Sequence, residues 1–293
     1  MIQAIGVIGA GQMGAGIAQV CAMAGYRVVL QDISAEQLES AKISIQNGFL
    51  KLVSKGKLSE EDKESVLAEL ATSTDVAALS DCDLIIEAAT ESEQLKQKIF
   101  EGLVPHLKAG CIIATNTSSL SITRLASFTQ HPQQFIGMHF MNPVPVMQLV
   151  EVIRGLATDD KTYQAVLDVV SRLGKQAATS QDIPGFIVNR ILIPMINEAI
   201  FVLHEGVGDR ESIDKAMTLG AGLPMGPLAL ADMIGLDTCL AIMHVLYDDF
   251  GDSKYRPCPL LSQYVAAGWL GRKSGRGFYE YNPTPAPVNV VKE

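Results

Sequence analysis

The sequence holds no pair of cysteines at a redox or metal-binding spacing. Its five cysteines, Cys21, Cys82, Cys111, Cys239 and Cys258, are scattered and form no CxxC. That excludes a disulfide-stapled scaffold and a structural zinc site, and it fits reduced thiols. No apolar stretch is long enough to span a bilayer, so no membrane partner is expected. Positive charge is scarce: 23 Lys and Arg stand against 32 Asp and Glu, a formal net charge of −9. This argues against nucleic acid or an anionic membrane as the main partner. The first apolar run begins almost at Met1, which leaves no room for a signal or transit peptide; the expected location is the cytoplasm. Asn116-Thr-Ser118 matches a glycosylation sequon, but without a secretory signal it carries no meaning as one. No internal repeat is present.

What is present is ample for one large or two ordinary domains: 293 residues, 48% of them hydrophobic. The chain opens with Ile5-Gly-Val-Ile8, a short apolar run, followed by Gly9-Ala-Gly11-Gln-Met-Gly14 and a stretch of helical composition to Ala24. Gly9 and Gly11 allow a tight turn and close backbone approach to a pyrophosphate. Gly14 lets strand and helix pack closely, and the phosphate meets the helix N-terminus. GxGxxG alone is weak, but here a strand precedes it, a helix follows, and a second strand ends in Asp32. That acid stands where a carboxylate binding the ribose of NAD belongs. Arg27 precedes the second strand and is not an obvious ligand for a 2′-phosphate.

Apolar runs at 3–8, 27–32, 83–89, 111–116, 134–140 and 148–154 read as strands. Helical patterns lie between several of them, and Lys161–Leu173 adds a late one. The alternation predicts an α/β fold, a Rossmann-type, doubly wound, mostly parallel sheet over residues 1–183. Residues 35–70, long, polar and broken near Gly56, predict a helical hairpin projecting from it. The texture changes around Asp182-Ile-Pro-Gly185. An all-α C-terminal domain over 184–282 is expected, with helices at Phe186–Glu205, Asp209–Leu219, Leu228–Phe250 and Leu260–Ala267, and with a kink at Pro194. Residues 283–293, rich in proline, read as a tail.

The segment 137–151 carries the chemistry. His139 ends one apolar run, a proline-rich turn follows, and Glu151 sits inside a second run. Two strands joined by a short loop can set an imidazole beside a carboxylate, which fixes the tautomer of an acid/base histidine. His106, His131, His204 and His244 have no partners at metal spacing and read as surface or capping residues.

These residues bring the chain to a known family. It resembles the 3-hydroxyacyl-CoA dehydrogenases, most closely their bacterial short-chain branch, over about residues 3–282. The blocks are GAGQMG at 9–14, NTSSLSI at 116–122, GMHFMNPVPVMQLVEVIRG at 137–155, PGFIVNRILIPMINEA at 184–199, LGAGLPMGPLAL at 219–230 and GWLGRKSGRGFY at 268–279. Met141 stands where the family often has Phe. The resemblance implies that His139 is the general acid/base and Glu151 its orienting carboxylate. It gives Ser118 the substrate oxygen and sets Asn189 beside the reacting carbonyl. It implies NAD as cofactor, with contacts from Gly9, Gly11, Gln12, Met13, Gly14, Asp32, Glu91, Lys96, Asn116 and Asn142. The implied reaction interconverts (S)-3-hydroxybutanoyl-CoA and acetoacetyl-CoA, and the implied assembly is a homodimer through the C-terminal domain. No metal is expected.

An acidic protein that binds CoA needs a local basic patch. Lys51, Lys55 and Lys57 cluster near the hairpin tip, and Lys51 and Lys55 share a helix face. The resemblance puts adenosine phosphate contacts at Lys51 and Lys55; a solvated lysine face is the plain alternative. Two other functions stay open at this stage. One is a dehydrogenase acting on a small free β-hydroxyacid. The other is a non-catalytic, crystallin-like NAD-binding relative.

Overall fold

Four of the apolar runs that bury on both faces fall at the centre of one eight-stranded sheet. The computed structural model describes residues 1–281, so the expected tail at 283–293 lies outside the described residues. Two compact units divide the chain, one from Met1 to Phe186 and one from Ile187 onward.

The first unit runs β1 (Ala4–Ile8), α1 (Gln12–Met23), β2 (Arg27–Gln31), α2 (Ala35–Ser54), α3 (Glu60–Ala68), β3 (Leu70–Ser73), β4 (Leu84–Glu87), α4 (Glu93–Leu103), β5 (Ile112–Thr115), α5 (Ile122–Ala126), β6 (Phe135–Phe140), β7 (Leu149–Arg154), α6 (Asp160–Arg172) and β8 (Gln176–Gln181). The strand order is β3-β2-β1-β4-β5-β6-β7-β8. Every neighbouring pair is parallel except β6 with β7. β1, β4, β5 and β6 are buried throughout, which is why they read as unbroken apolar runs. The order reverses between β1 and β4, and open parallel sheets place their ligands beyond the strand ends at such a point.

Two strands depart from the sequence reading. β3 is the Leu-Ala-Thr-Ser segment and β8 is Gln-Ala-Ala-Thr-Ser-Gln; both are edge strands, each with one partner. An edge strand faces water on one side, so a search for apolar runs passes over it. The 35–70 stretch is the pair of helices α2 and α3, with Gly56 at φ 66° between them, but its last residue already belongs to β3.

The second unit is helical: α7 (Val188–His204), α8 (Arg210–Gly220), α9 (Pro227–Ile234), α10 (Leu236–Phe250) and α11 (Pro259–Ala266). They enclose a core that includes Ile196, Ile200, Leu228, Leu236, Met243, Leu246, Leu261 and Phe278. α7 continues through Pro194. The single helix expected over 228–250 is two, bent by 96°. Gly235, at φ 105°, makes the break, a conformation closed to residues with a side chain. No single described helix is long and apolar enough to cross a membrane.

Candidate active site

The glycine-rich turn joins β1 to α1. Gly9 has φ 98°, and a Cβ there would lie 2.6 Å from the Ala89 backbone; a Cβ on Gly14 would lie 1.7 Å from the Gly9 carbonyl oxygen. Gly11, the N-cap of α1, makes no side-chain cap bond. A Cβ on Gly11 would meet nothing within 4 Å. The turn is therefore closed toward the protein and open on its outer side. First-turn N–H groups face that opening, the arrangement that receives a phosphate. Asp32 follows β2. Its Oδ2 accepts from Ala10 N at 2.7 Å and its Oδ1 from Ser34 N at 2.9 Å. It ties the turn to the second strand and keeps lone pairs for ribose hydroxyls. The residues fit a dinucleotide.

At the other side of the switch point, the sheet register brings His139 and Glu151 together. They are Cα partners across the antiparallel β6–β7 pair. Opposed residues on such strands project to the same face with Cβ atoms about 5 Å apart. Glu151 is fully buried and His139 nearly so, and the imidazole Nδ1 lies 2.7 Å from Glu151 Oε2. The carboxylate accepts the Nδ1 proton, which leaves Nε2 as the nitrogen that can exchange a proton with a substrate.

The loop after β5 carries Ser118. One oxygen of Glu91 gathers it: Oε1 accepts from Thr117 Oγ1 at 2.8 Å, from Ser118 N and Oγ at 2.8 and 2.9 Å, and from Ser119 N and Oγ at 3.1 and 3.0 Å. Asn116 Oδ1 accepts from Phe140 N at 2.8 Å, which fastens this loop to the strand that bears His139. Gln12 Nε2 donates to Asn142 Oδ1 at 3.1 Å, linking the start of α1 to the turn after β6. Met13 is half-buried in the first turn of α1. The β6–β7 turn, with a cis Asn142–Pro143 bond, packs Val144 against Gly16.

Lys96, an expected cofactor contact, lies at the ends of β4 and β5 with a buried partner. It is 1% exposed. Its ammonium pairs with the buried Glu87 carboxylate, and Thr115 Oγ1 donates to the same carboxylate at 2.7 Å. Glu87 Oε1 also accepts from Ala89 N at 2.9 Å. The cation is taken up beneath the ends of β4 and β5, where it supports the loops that carry Glu91 and Ser118. Glu87 was missed in the sequence; ending an apolar run, it resembles any strand terminus. Lys175 was missed too. Its Nζ donates to Val144 O and Met147 O, both at 2.7 Å, and holds the turn between β6 and β7. Burial pulls its pKa down from the usual lysine value.

Asn189 belongs to the second unit, buried in the first turn of α7. Lys51 is in the last turn of α2 and Lys55 is its C-cap; both are exposed. Among the described residues, no group of three or more His, Cys, Asp or Glu could hold a metal ion. All five cysteines are buried and free. Burial pushes the thiols of Cys21, Cys111 and Cys239 up to about 12.

Comparison with known proteins agrees with this geometry. Residues 4–183 match the family model described as 3-hydroxyacyl-CoA dehydrogenase, NAD binding domain, and residues 185–281 match that of the family's C-terminal domain. The 3-hydroxybutyryl-CoA dehydrogenase of Bradyrhizobium diazoefficiens is 59% identical over 289 residues, covering 98% of this chain and 99% of that protein. The human mitochondrial hydroxyacyl-coenzyme A dehydrogenase is 42% identical over 288 residues, covering 96% of this chain and 92% of that protein. The crystal structure of an (S)-3-hydroxybutyryl-CoA dehydrogenase from Ralstonia eutropha superposes with a TM-score of 0.94 at 53% identity, covering 96% of this chain and 99% of that one. A dinucleotide turn, a buried imidazole–carboxylate pair on β6 and β7 and family matches to both units lead to one conclusion: the chain belongs to the 3-hydroxyacyl-CoA dehydrogenase family, a family of NAD-dependent oxidoreductases.

Proposed function

We propose that the chain interconverts (S)-3-hydroxybutanoyl-CoA and acetoacetyl-CoA. The observation that carries the reading is the buried His139–Glu151 pair, set across β6 and β7 next to β5, the strand that leads to Ser118. NAD, when bound, supplies the hydride acceptor. The chain's residues handle the proton. Neutral His139 takes it from the substrate hydroxyl through Nε2, and Glu151 stabilises the imidazolium so formed. In the reverse direction the same nitrogen returns it. Ser118 hydrogen-bonds the substrate oxygen, and Glu91, through five contacts on the 117–119 segment, holds that serine in place. Asn189 donates to the carbonyl as charge shifts. Gly9, Gly11 and Gly14 with the start of α1 take the pyrophosphate, and Asp32 takes the ribose.

Lys51 and Lys55 are assigned to the CoA phosphates on their exposure and clustering. The assembly is a homodimer through the second unit, which exposes Ile191, Leu219, Met233 and Tyr247. The buried free thiols suit the reducing cytoplasm.

A spectrophotometric assay of acetoacetyl-CoA with NADH tests the reading, followed by longer acyl chains and NADPH. Fast oxidation of NADH by the four-carbon thioester is expected. Activity on free 3-hydroxybutyrate without CoA would move the assignment to the small β-hydroxyacid enzymes, and no turnover of either would leave a non-catalytic relative. Light scattering on the purified protein checks the dimer.

A further inference from the structure

Phe186 is the one non-glycine among the described residues with a positive φ, at 50°. It follows Gly185, whose φ is 77°, and is the last residue of the first unit. A bulky L-residue in this region is strained, and a turn alone is served more cheaply by Gly or Asn. Strain of this kind persists where the surroundings over-determine it. Here they do. Asp182, four residues earlier, accepts from Ser121 Oγ, Ile122 N and Thr123 N at 2.7–2.8 Å, which pins the approach to the start of α5. Phe186 N donates to Ile183 O at 2.9 Å. The ring is 4% exposed and joins Ile8, Ile85, Ile113, Ile122 and Phe135 in one apolar cluster. Its other neighbour is the imidazole of His139, centroid to centroid 5.9 Å and tilted by 57°.

We propose that Phe186 is a positioning residue for the acid/base: the strained turn at the end of the first unit drives an aromatic ring against the His139 imidazole, which fixes ring orientation and keeps water from that flank. The proposal rests on the reading of His139 as the acid/base. Glu151 holds the imidazole by one nitrogen, and the phenyl ring bounds the rotation that this hydrogen bond leaves to the side chain. The two neighbours act in opposite senses on the proton. Glu151 favours the charged ring, and an apolar wall disfavours it.

Other charged groups on the elements around β6 are engaged elsewhere. Arg154 of β7 pairs with Asp160 of α6, Arg124 of α5 with Glu93, and Asp182 with the start of α5. Arg172 of α6 donates to Ala24 O and Gly25 O, and Asp168 accepts from Gln164. Lys161 lies in the first turn of α6. Glu87 and Lys96 neutralise each other below β5. The group bonded to the imidazole is Glu151.

The test uses the full-length enzyme with saturating NADH, reading acetoacetyl-CoA reduction against pH in Phe186→Leu, Phe186→Gly and, as reference, His139→Ala. Leu keeps the apolar cluster intact but is too short to cover the imidazole flank, and Gly relaxes the turn while removing the ring. The Leu variant should lose about tenfold in kcat, and the Gly variant more, with KM for acetoacetyl-CoA within about twofold of wild type. Reduction needs protonated His139, so activity falls as pH rises. With water admitted beside the ring, that fall should move to higher pH. A residue that only fills the core would lower Tm and leave kcat and the profile of the folded enzyme unchanged. Wild-type kcat and an overlaid pH profile in Phe186→Leu would overturn the proposal, whether or not the Gly variant folds. If His139→Ala is inactive while Phe186→Leu behaves as wild type, this inference alone fails. If His139→Ala turns over normally, the acid/base reading fails with it.

Discussion

Two buried carboxylates sit on strands of the same sheet, and each is paired with a base. Glu87, at the end of β4, takes the ammonium of Lys96; Glu151, on β7, takes the imidazole of His139. Both carboxylates are 0% exposed. The difference is in the partner. Lys96 is 1% exposed, and removing either member strands the other in the core. His139 keeps a tenth of its side chain exposed, and Glu151 takes up only one of its two ring nitrogens. On the proposed reading, one pair holds the strand ends in place and the other changes charge during turnover. Burial of an ion pair is by itself no mark of chemistry; a titratable partner with one face open is.

Breaking each pair should separate these roles. His139→Ala removes the exchangeable proton, and kcat for acetoacetyl-CoA reduction should fall by about two orders of magnitude or more, with NADH binding by fluorescence titration little changed. Lys96→Met does the opposite. It leaves Glu87 uncompensated and should cost about 3–5 kcal/mol of stability. Calorimetry should show this as a Tm lowered by on the order of 10 °C. The fraction that remains folded should keep much of its turnover. A Lys96→Met enzyme with wild-type Tm and no activity would mean that Lys96 acts on the cofactor after all.

The sequence made the chemical pair legible and the structural one not, for a physical reason. His139 ends one apolar run and Glu151 sits inside the next, and a short loop between two strands limits which residues can face each other. Glu87 closes its run, and Lys96 lies on α4, whose polar pattern gives no hint that this one ammonium turns inward. The central strands were legible because burial on both faces makes them continuously apolar. The edge strands β3 and β8 were not, since half of each faces water. The expected long helix at 228–250 failed at Gly235, where the residues on either side are equally helical in composition and only the backbone reverses. Nothing in the residues around Phe186 announces its left-handed backbone.

A third carboxylate lies between the extremes. Asp32 is half-buried, held by Ala10 N and Ser34 N and open on one side. It should repel a 2′-phosphate and give an NADH preference over NADPH of about a hundredfold in kcat/KM. Asp32→Ser should erode that preference. Equal efficiency of wild type with NADPH would remove Asp32 from the cofactor site. The smallest effect belongs to charges that have no buried partner. Lys51→Ala/Lys55→Ala should raise KM for acetoacetyl-CoA by about threefold to tenfold at low salt, less at high salt, with kcat nearly unchanged. A pantetheine thioester lacking the nucleotide should show no such defect. Equal defects on full and truncated substrates would make these lysines supports of the hairpin.

The contrast between the two pairs rests on Glu151 acting through its charge on His139. The pH–rate profile of Glu151→Gln in acetoacetyl-CoA reduction measures that directly. Gln keeps the shape and removes the charge that favours imidazolium, and reduction needs the protonated ring. Activity should therefore fall off at lower pH than in wild type, with a Tm much closer to wild type than that of Lys96→Met. A profile that overlays wild type would contradict the account and make Glu151 a second structural carboxylate.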